Sequence, residues 1–312
     1  MDQVAKWQQY PFDKETQEEV NALLNNPKAL EDAFYTDLSF GTGGMRGIMG
    51  VGTNRVNRYT FGRNTQGICN YIKKSFPDKR AKVIIGYDCR FQSDTLAQTV
   101  ADIFSANSID VFLFSALRPT PEVSFAIREL GAQCGVILTA SHNPPEYNGY
   151  KVYWEDGGQI VPPHDNAIIE EINAVDFSDI QFAAKPKNIT LIDKNIDEAF
   201  QNACVTNGRL GDGDRSKLKI VFTSLHGTSI TAIPAVLQKA GYTQVHVVEE
   251  QAEPDGNFPT VDSPNPEEPA ALAMALQKAE EVQADIVIGT DPDADRLGIA
   301  VRNHKGEMEL LN

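Results

Sequence analysis

Residues 81–140 read AKVIIGYDCRFQSDTLAQTVADIFSANSIDVFLFSALRPTPEVSFAIRELGAQCGVILTA. The apolar runs AKVIIGYD, DVFLFS and CGVILTA have the length of buried strands and are bounded by turn residues. Between them, SDTLAQTVADIFSANS has helical apolar spacing behind a serine able to cap it, and PEVSFAIRELG reads as a helix closed by glycine. Strand and helix alternating in this way predict a sheet covered by helices on both faces.

Working outward, the chain before residue 80 offers an acidic amphipathic stretch at 14–24, a glycine-rich loop at 40–50 and a helix at 60–76. After residue 140 come the loop SHNPPEYNG, the extended stretch YKVYW, a turn at EDGGQ and a helix over 164–175. Residues 176–195 are polar and weakly periodic, as a connector between domains is. The pattern then restarts. LKIVFTSL and TQVHVVEE read as strands around the helix TSITAIPAVLQKAG; a second helix falls within PEEPAALAMALQKAEEVQ, followed by the strand ADIVIGT, the acidic loop DPDADR and the strand LGIAVRN. Both halves are therefore α/β, though no sequence period relates them. The chain stops at Asn312, so soon after the acidic loop that a truncated chain is expected.

The chain has 312 residues, enough for two domains of ordinary size. Its 28 Lys+Arg against 43 Asp+Glu give a charge of −15, which repels nucleic acid and anionic membrane and leaves any phosphate ligand to local cations or a metal. Cys69, Cys89, Cys134 and Cys204 are widely spaced, without zinc-finger or redox-pair spacing, and read as free thiols. No apolar run approaches the ~20 residues that span a bilayer, and the N-terminus has no secretory pattern. A soluble cytoplasmic protein is expected.

Ser141 follows an apolar strand, where α/β proteins bind ligands. Two readings fit it: a reactive hydroxyl, or a residue that with Asn143 only shapes the turn. The serine-hydrolase elbow G-x-S-x-G is absent. Asp291, Asp293 and Asp295 alternate at the end of ADIVIGT, and three carboxylates so close call for a hard cation such as Mg²⁺ unless the turn is simply solvated. A calcium hand is disfavoured, because Arg296 and Arg302 stand where glycine and glutamate are needed. A phosphatase using Asp291 as nucleophile is a second catalytic reading. GTGGMRG (41–47) puts four glycines around Arg46 and suits either an anion or a flexible turn. His142 and Lys151 are candidate proton carriers. His226 is expected to be structural.

Taken together, TASHNP (139–144), DPDADR (291–296) and GTGGMRG resemble the alpha-D-phosphohexomutase superfamily of phosphoglucomutases and phosphomannomutases, with NGYK (148–151), SLHG (224–227) and NPEEPAAL (265–272) in support. The last is more like the phosphoglucomutase/phosphopentomutase branch. The resemblance implies two consecutive three-layer α/β/α domains with mixed sheets, 1–195 and 196–312, the first half of a four-domain enzyme. It implies that Ser141, as phosphoserine, passes its phosphoryl group to a glucose or mannose monophosphate and recovers one from the 1,6-bisphosphate. One Mg²⁺ would be held by Asp291, Asp293, Asp295 and the phosphorylated Ser141. Arg46, Arg296 and Asn143 would contact phosphate. Lys151 or His142 would deprotonate the sugar hydroxyl, with Lys151 favoured because cationic neighbours would lower its proton affinity. Domains three and four would read the sugar and its distal phosphate, so sugar choice lies outside these motifs. A non-catalytic metal- and phosphate-binding module is the reading from another class.

Overall fold

The computed structural model describes residues 2–311. The first unit opens with helices α1 (Asp2–Trp7), α2 (Lys14–Leu23) and α3 (Pro27–Phe34), then β1 (Met45–Ile48), α4 (Arg58–Ser75), β2 (Lys82–Tyr87), α5 (Ser93–Ala106), β3 (Asp110–Phe114), α6 (Thr120–Glu129), β4 (Cys134–Leu138), β5 (Tyr147–Trp154), α7 (His164–Asn173) and β6 (Ile189–Ile192). Its six strands lie in the order β1-β5-β4-β2-β3-β6. The second unit runs α8 (Lys194–Asn207), β7 (Lys219–Thr223), α9 (Ile233–Lys239), β8 (Gln244–Val247), α10 (Ala273–Val282), β9 (Ile286–Thr290), β10 (Leu297–Arg302) and β11 (Met308–Leu311), with sheet order β11-β10-β9-β7-β8.

Both sheets are mixed. In the first, β4, β2, β3 and β6 are parallel, while β5 and β1 are joined antiparallel beside β4; in the second, β9, β7 and β8 are parallel and β10 turns back antiparallel on β9. Apolar side chains of the central parallel strands β2, β4 and β7 are buried on both faces because helices cover both. Ile68 of α4, Val100 of α5 and Ile168 of α7 pack on one face of the first sheet, and Val123 and Ile127 of α6 on the other with Ile84 and Ile137. In the second, Ala275 and Ala279 of α10 cover Val221 and Val287.

Two expectations need correction. Residues 176–195 are no free connector: Ile189–Ile192 pair in parallel with β3, and Lys185 Nζ donates to the Ala106 carbonyl at 2.7 Å. The strand escaped notice because an edge strand needs only backbone partners, and its Leu191 is 64% exposed. The glycine-rich segment 40–50 also contains a strand, β1, held against β5 with Arg46 opposite Gly149.

The two units repeat one topology. The order β5-β4-β2-β3 corresponds to β10-β9-β7-β8, so each sheet has its crevice beyond the carboxyl ends of the two central strands. Ser141 stands in the β4–β5 loop and Asp291, Asp293 and Asp295 stand in the β9–β10 loop, equivalent places in the two units.

Candidate functional site

The β4–β5 loop folds tightly because its carbonyls are gathered by one buried cation. Arg90, which follows β2, donates from Nη1 to the carbonyls of Pro144 and Tyr147 (2.9 Å each) and from Nη2 to those of Ser141 and Asn143 (2.6 Å each). Its charge is balanced by buried Asp88, whose carboxylate lies 3.5 Å from Nε. Ser141 itself has φ +53, and its N–H donates to Thr139 Oγ1 at 2.8 Å. Only 1% of Ser141 is exposed. Its hydroxyl donates to Asp291 Oδ2 at 2.5 Å, and His142 Nδ1 is 3.2 Å from Oγ.

The acidic loop is bent by Ala294 at φ +60 and by the Ala294 N–H donating to the Asp291 carbonyl. The residue that follows the SLHG segment supports it: Thr228 donates through N–H and hydroxyl to the Pro292 carbonyl. A Cβ on Gly227 would stand 2.4 Å from Pro292 Cα, so only glycine allows this approach. One oxygen from each of Asp291, Asp293 and Asp295 falls within 4.8 Å of the others. Asp291 Oδ1 accepts from the Arg296 N–H at 3.0 Å. Asp293 Oδ2 accepts from Lys151 Nζ at 2.6 Å and from Thr120 Oγ1 at 2.7 Å, whereas its Oδ1 is buried with no partner. A buried, unpartnered carboxylate oxygen among three carboxylates and a serine hydroxyl is the donor set of a hard divalent cation, and these residues fit one.

Electrostatics sort the titratable groups. Burial pushes Asp291 up to about 8, aided by the charge of Asp293. Burial also works against ionised Asp293, but the Lys151 ammonium together with hydrogen bonds from Lys151 and Thr120 holds that carboxyl below the usual range. For Lys151, burial favours loss of the proton, yet Asp293 and Asp295, each 2.6 Å from Nζ, outweigh it and raise its proton affinity. The lowered proton affinity expected of Lys151 is thus reversed: its nearest neighbours are carboxylates, not cations. Burial and then the charges of Arg296 and Arg46 push His142 down, leaving a neutral ring able to accept a proton.

The remaining expected residues divide. Gly44, at φ +85 and with no room for a Cβ beside the Tyr150 carbonyl, brings β1 against β5 so that exposed Arg46 lies near the site. The Arg296 guanidinium is turned toward Glu267 of the NPEEPAAL segment, 3.3 Å away. Asn143 Oδ1 is buried without a partner. His226 is structural as expected, its ring nitrogens near the Glu253 carbonyl (3.1 Å) and Thr260 Oγ1 (2.9 Å). Sequence reasoning missed Asp88, Arg90 and Thr120. For Arg90, a buried-strand ending followed by D-C-R offered a weak signal; Thr120 sits in an ordinary helix start.

Comparison with known proteins agrees with this geometry. The description "Phosphoglucomutase/phosphomannomutase, alpha/beta/alpha domain I" matches residues 37–179, and that of domain II matches residues 198–306. A phosphoglucomutase of Staphylococcus haemolyticus is 39% identical over 282 residues, covering 89% of this chain and 51% of the relative. One from Staphylococcus epidermidis is 37% identical over 304 residues, covering 94% and 54%. The crystal structure of a Thermus thermophilus protein described as a phosphomannomutase superposes with a TM-score of 0.71 at 26% identity, over 85% of this chain and 57% of that one. The chain spans about half the length of the curated relatives it matches. With one domain description matched on each of the two sheets, in order, the chain belongs to the phosphoglucomutase/phosphomannomutase family and carries its α/β/α domains I and II.

Proposed function

We propose that this chain supplies the phosphoryl-carrying and cation-binding half of a cytoplasmic phosphosugar mutase that interconverts the 1- and 6-phosphates of glucose or mannose. The observation that carries the reading is the 2.5 Å contact between the Ser141 hydroxyl of one unit and Asp291 of the other, inside a triad with an unpartnered oxygen. The boundary between the units is put near 195/196, at the start of α8 just past the end of β6.

Phosphorylated Ser141 gives its phosphoryl group to a sugar monophosphate: the bond from Ser141 Oγ to phosphorus breaks, a bond from the sugar oxygen forms, and the sugar hydroxyl loses its proton to a base. The Ser141 oxygen freed in this step takes up the proton that the base accepted. The resulting 1,6-bisphosphate turns round, its other sugar oxygen–phosphorus bond breaks as phosphorus bonds to Ser141 Oγ, and the Ser141 hydroxyl proton passes by way of the base to the departing sugar oxygen. Phosphoryl transfer depends chiefly on alignment and charge neutralisation. Mg²⁺ held by Asp291, Asp293, Asp295 and an oxygen on Ser141 would offset charge on the transferred group. Arg90 fixes the loop that aims Ser141. Arg46 and Arg296 add positive charge around the phosphoryl group, and Asn143 offers its side-chain amide. Neutral His142, 3.2 Å from Ser141 Oγ, is better suited to take a proton than the ammonium of Lys151, which instead balances Asp293 and Asp295.

The test is peptide mass mapping after incubation with Mg²⁺ and glucose 1,6-bisphosphate. One added phosphoryl group on Ser141, absent from Ser141→Ala, is expected. Phosphate on Asp291, or none in either protein, would contradict the carrier role.

A further inference from the structure

Thr120 opens α6 in the first unit, yet both of its hydrogen-bond donors are spent on one residue of the second. Its N–H donates to the Asp293 carbonyl at 2.8 Å and its hydroxyl to Asp293 Oδ2 at 2.7 Å. Thr120 is 4% exposed and Asp293 is fully buried, so water does not compete for this pair. The two bonds act on different parts of Asp293. The first fixes its backbone; the second fixes rotation of its carboxylate. Oδ2 is thereby held toward Thr120 and Lys151, and Oδ1 is the oxygen without a partner. Lys151 also holds Oδ2, but at the end of a four-carbon stem and while shared with Asp295, whereas threonine is short and stiff at χ1.

We propose that Thr120 is a positioning residue for the divalent cation, turning Asp293 so that it binds through Oδ1 alone while Oδ2 stays tied to the first unit. This rests on the reading that Asp291, Asp293 and Asp295 hold such a cation. The partner behind a metal ligand fixes its orientation and typically governs affinity by 10–100-fold. The link also ties cation binding to docking of the two units, because Thr120 and Asp293 stand 173 positions apart.

The experiment is calorimetric titration of the full chain with Mg²⁺, using wild type, Thr120→Val, Thr120→Ser and Asp293→Asn, with thermal midpoints measured alongside. Thr120→Val keeps the side-chain volume and removes the hydroxyl; it should weaken binding by about 10-fold or more. Thr120→Ser, which restores the hydroxyl, should bind within about threefold of wild type, the same tolerance being set against that 10-fold effect. Should Thr120→Val fail to fold, Thr120→Ala replaces it in the comparison with serine. Equal affinity of the hydroxyl-free variant and wild type overturns the role of Thr120 while leaving the triad as a cation site. Absence of binding by wild type overturns the triad reading, and this inference with it.

Discussion

Arg90 shows how one side chain can hold a reactive loop. Its guanidinium reaches four backbone carbonyls between Ser141 and Tyr147 and gathers them around one charge. The cost of burying that charge is offset by Asp88, with which it shares a pocket closed to solvent. Arg90→Met should therefore destabilise the fold by about 3–5 kcal/mol, since it strands Asp88 as well as the carbonyls. Denaturant unfolding checks this, and a loss below about 1 kcal/mol, the size of an ordinary hydrogen bond, would mean that the loop holds itself.

Glu122 offers a second test at this scale. Burial pushes its carboxyl up to about 8 from an ordinary 4.5, and the neighbouring Asp197, itself held low by bonds from Arg118, reinforces the shift. A raised folded-state value means that the folded chain binds the extra proton. The stability contributed by protonated Glu122 is fully present below pH 4.5 and is lost as the pH rises through 8. Thermal melts should find Glu122→Gln equal to wild type near the lower limit and more stable than wild type above the upper one; a difference independent of pH would contradict this.

Among elements, the β–loop–β hairpin carries the candidate site residues Ser141, Asp291, Asp293 and Asp295. In each unit a parallel central strand ends at the crevice, turns through a loop and returns antiparallel, which gives that loop two anchored ends. The strands that build this frame were legible because their residues are apolar and buried: Val83, Ile84 and Ile85 in β2 and Val136, Ile137 and Leu138 in β4 have no solvent face to interrupt the run. Ser141 and the three aspartates were legible as motifs at strand ends. By contrast β6, with Leu191 facing solvent, carried no periodic signal, and Thr120 could not be singled out because its partner lies in another unit. The proton affinity of Lys151 was misjudged for a similar reason: motifs pointed to arginine neighbours but not to the two carboxylates that β5 brings it against.

At the scale of the molecule, the candidate site forms where the crevice residues Ser141, Lys151 and Thr120 of the first unit meet the acidic loop of the second. Each unit alone holds half: Ser141, Lys151 and Thr120 in the first, the acidic loop in the second. Against the −15 charge, the cations beside the acidic loop whose side chains reach solvent are Arg46 and Arg296, and an anion there would meet their local attraction. Helix α8 packs on both α6 and α9, and Arg118 binds Asp197 on α8, so the link between units continues behind the site. Among the described residues, no helix is long and apolar enough to cross a membrane.

The most direct test of this account is a crystal of the chain grown with Mn²⁺ and probed by anomalous diffraction. The account predicts one cation peak bound by Asp291, by Asp295 and by Oδ1 of Asp293, beside the Ser141 oxygen. A peak elsewhere, or none at saturating Mn²⁺ with the Ser141–Asp291 contact intact, would contradict it.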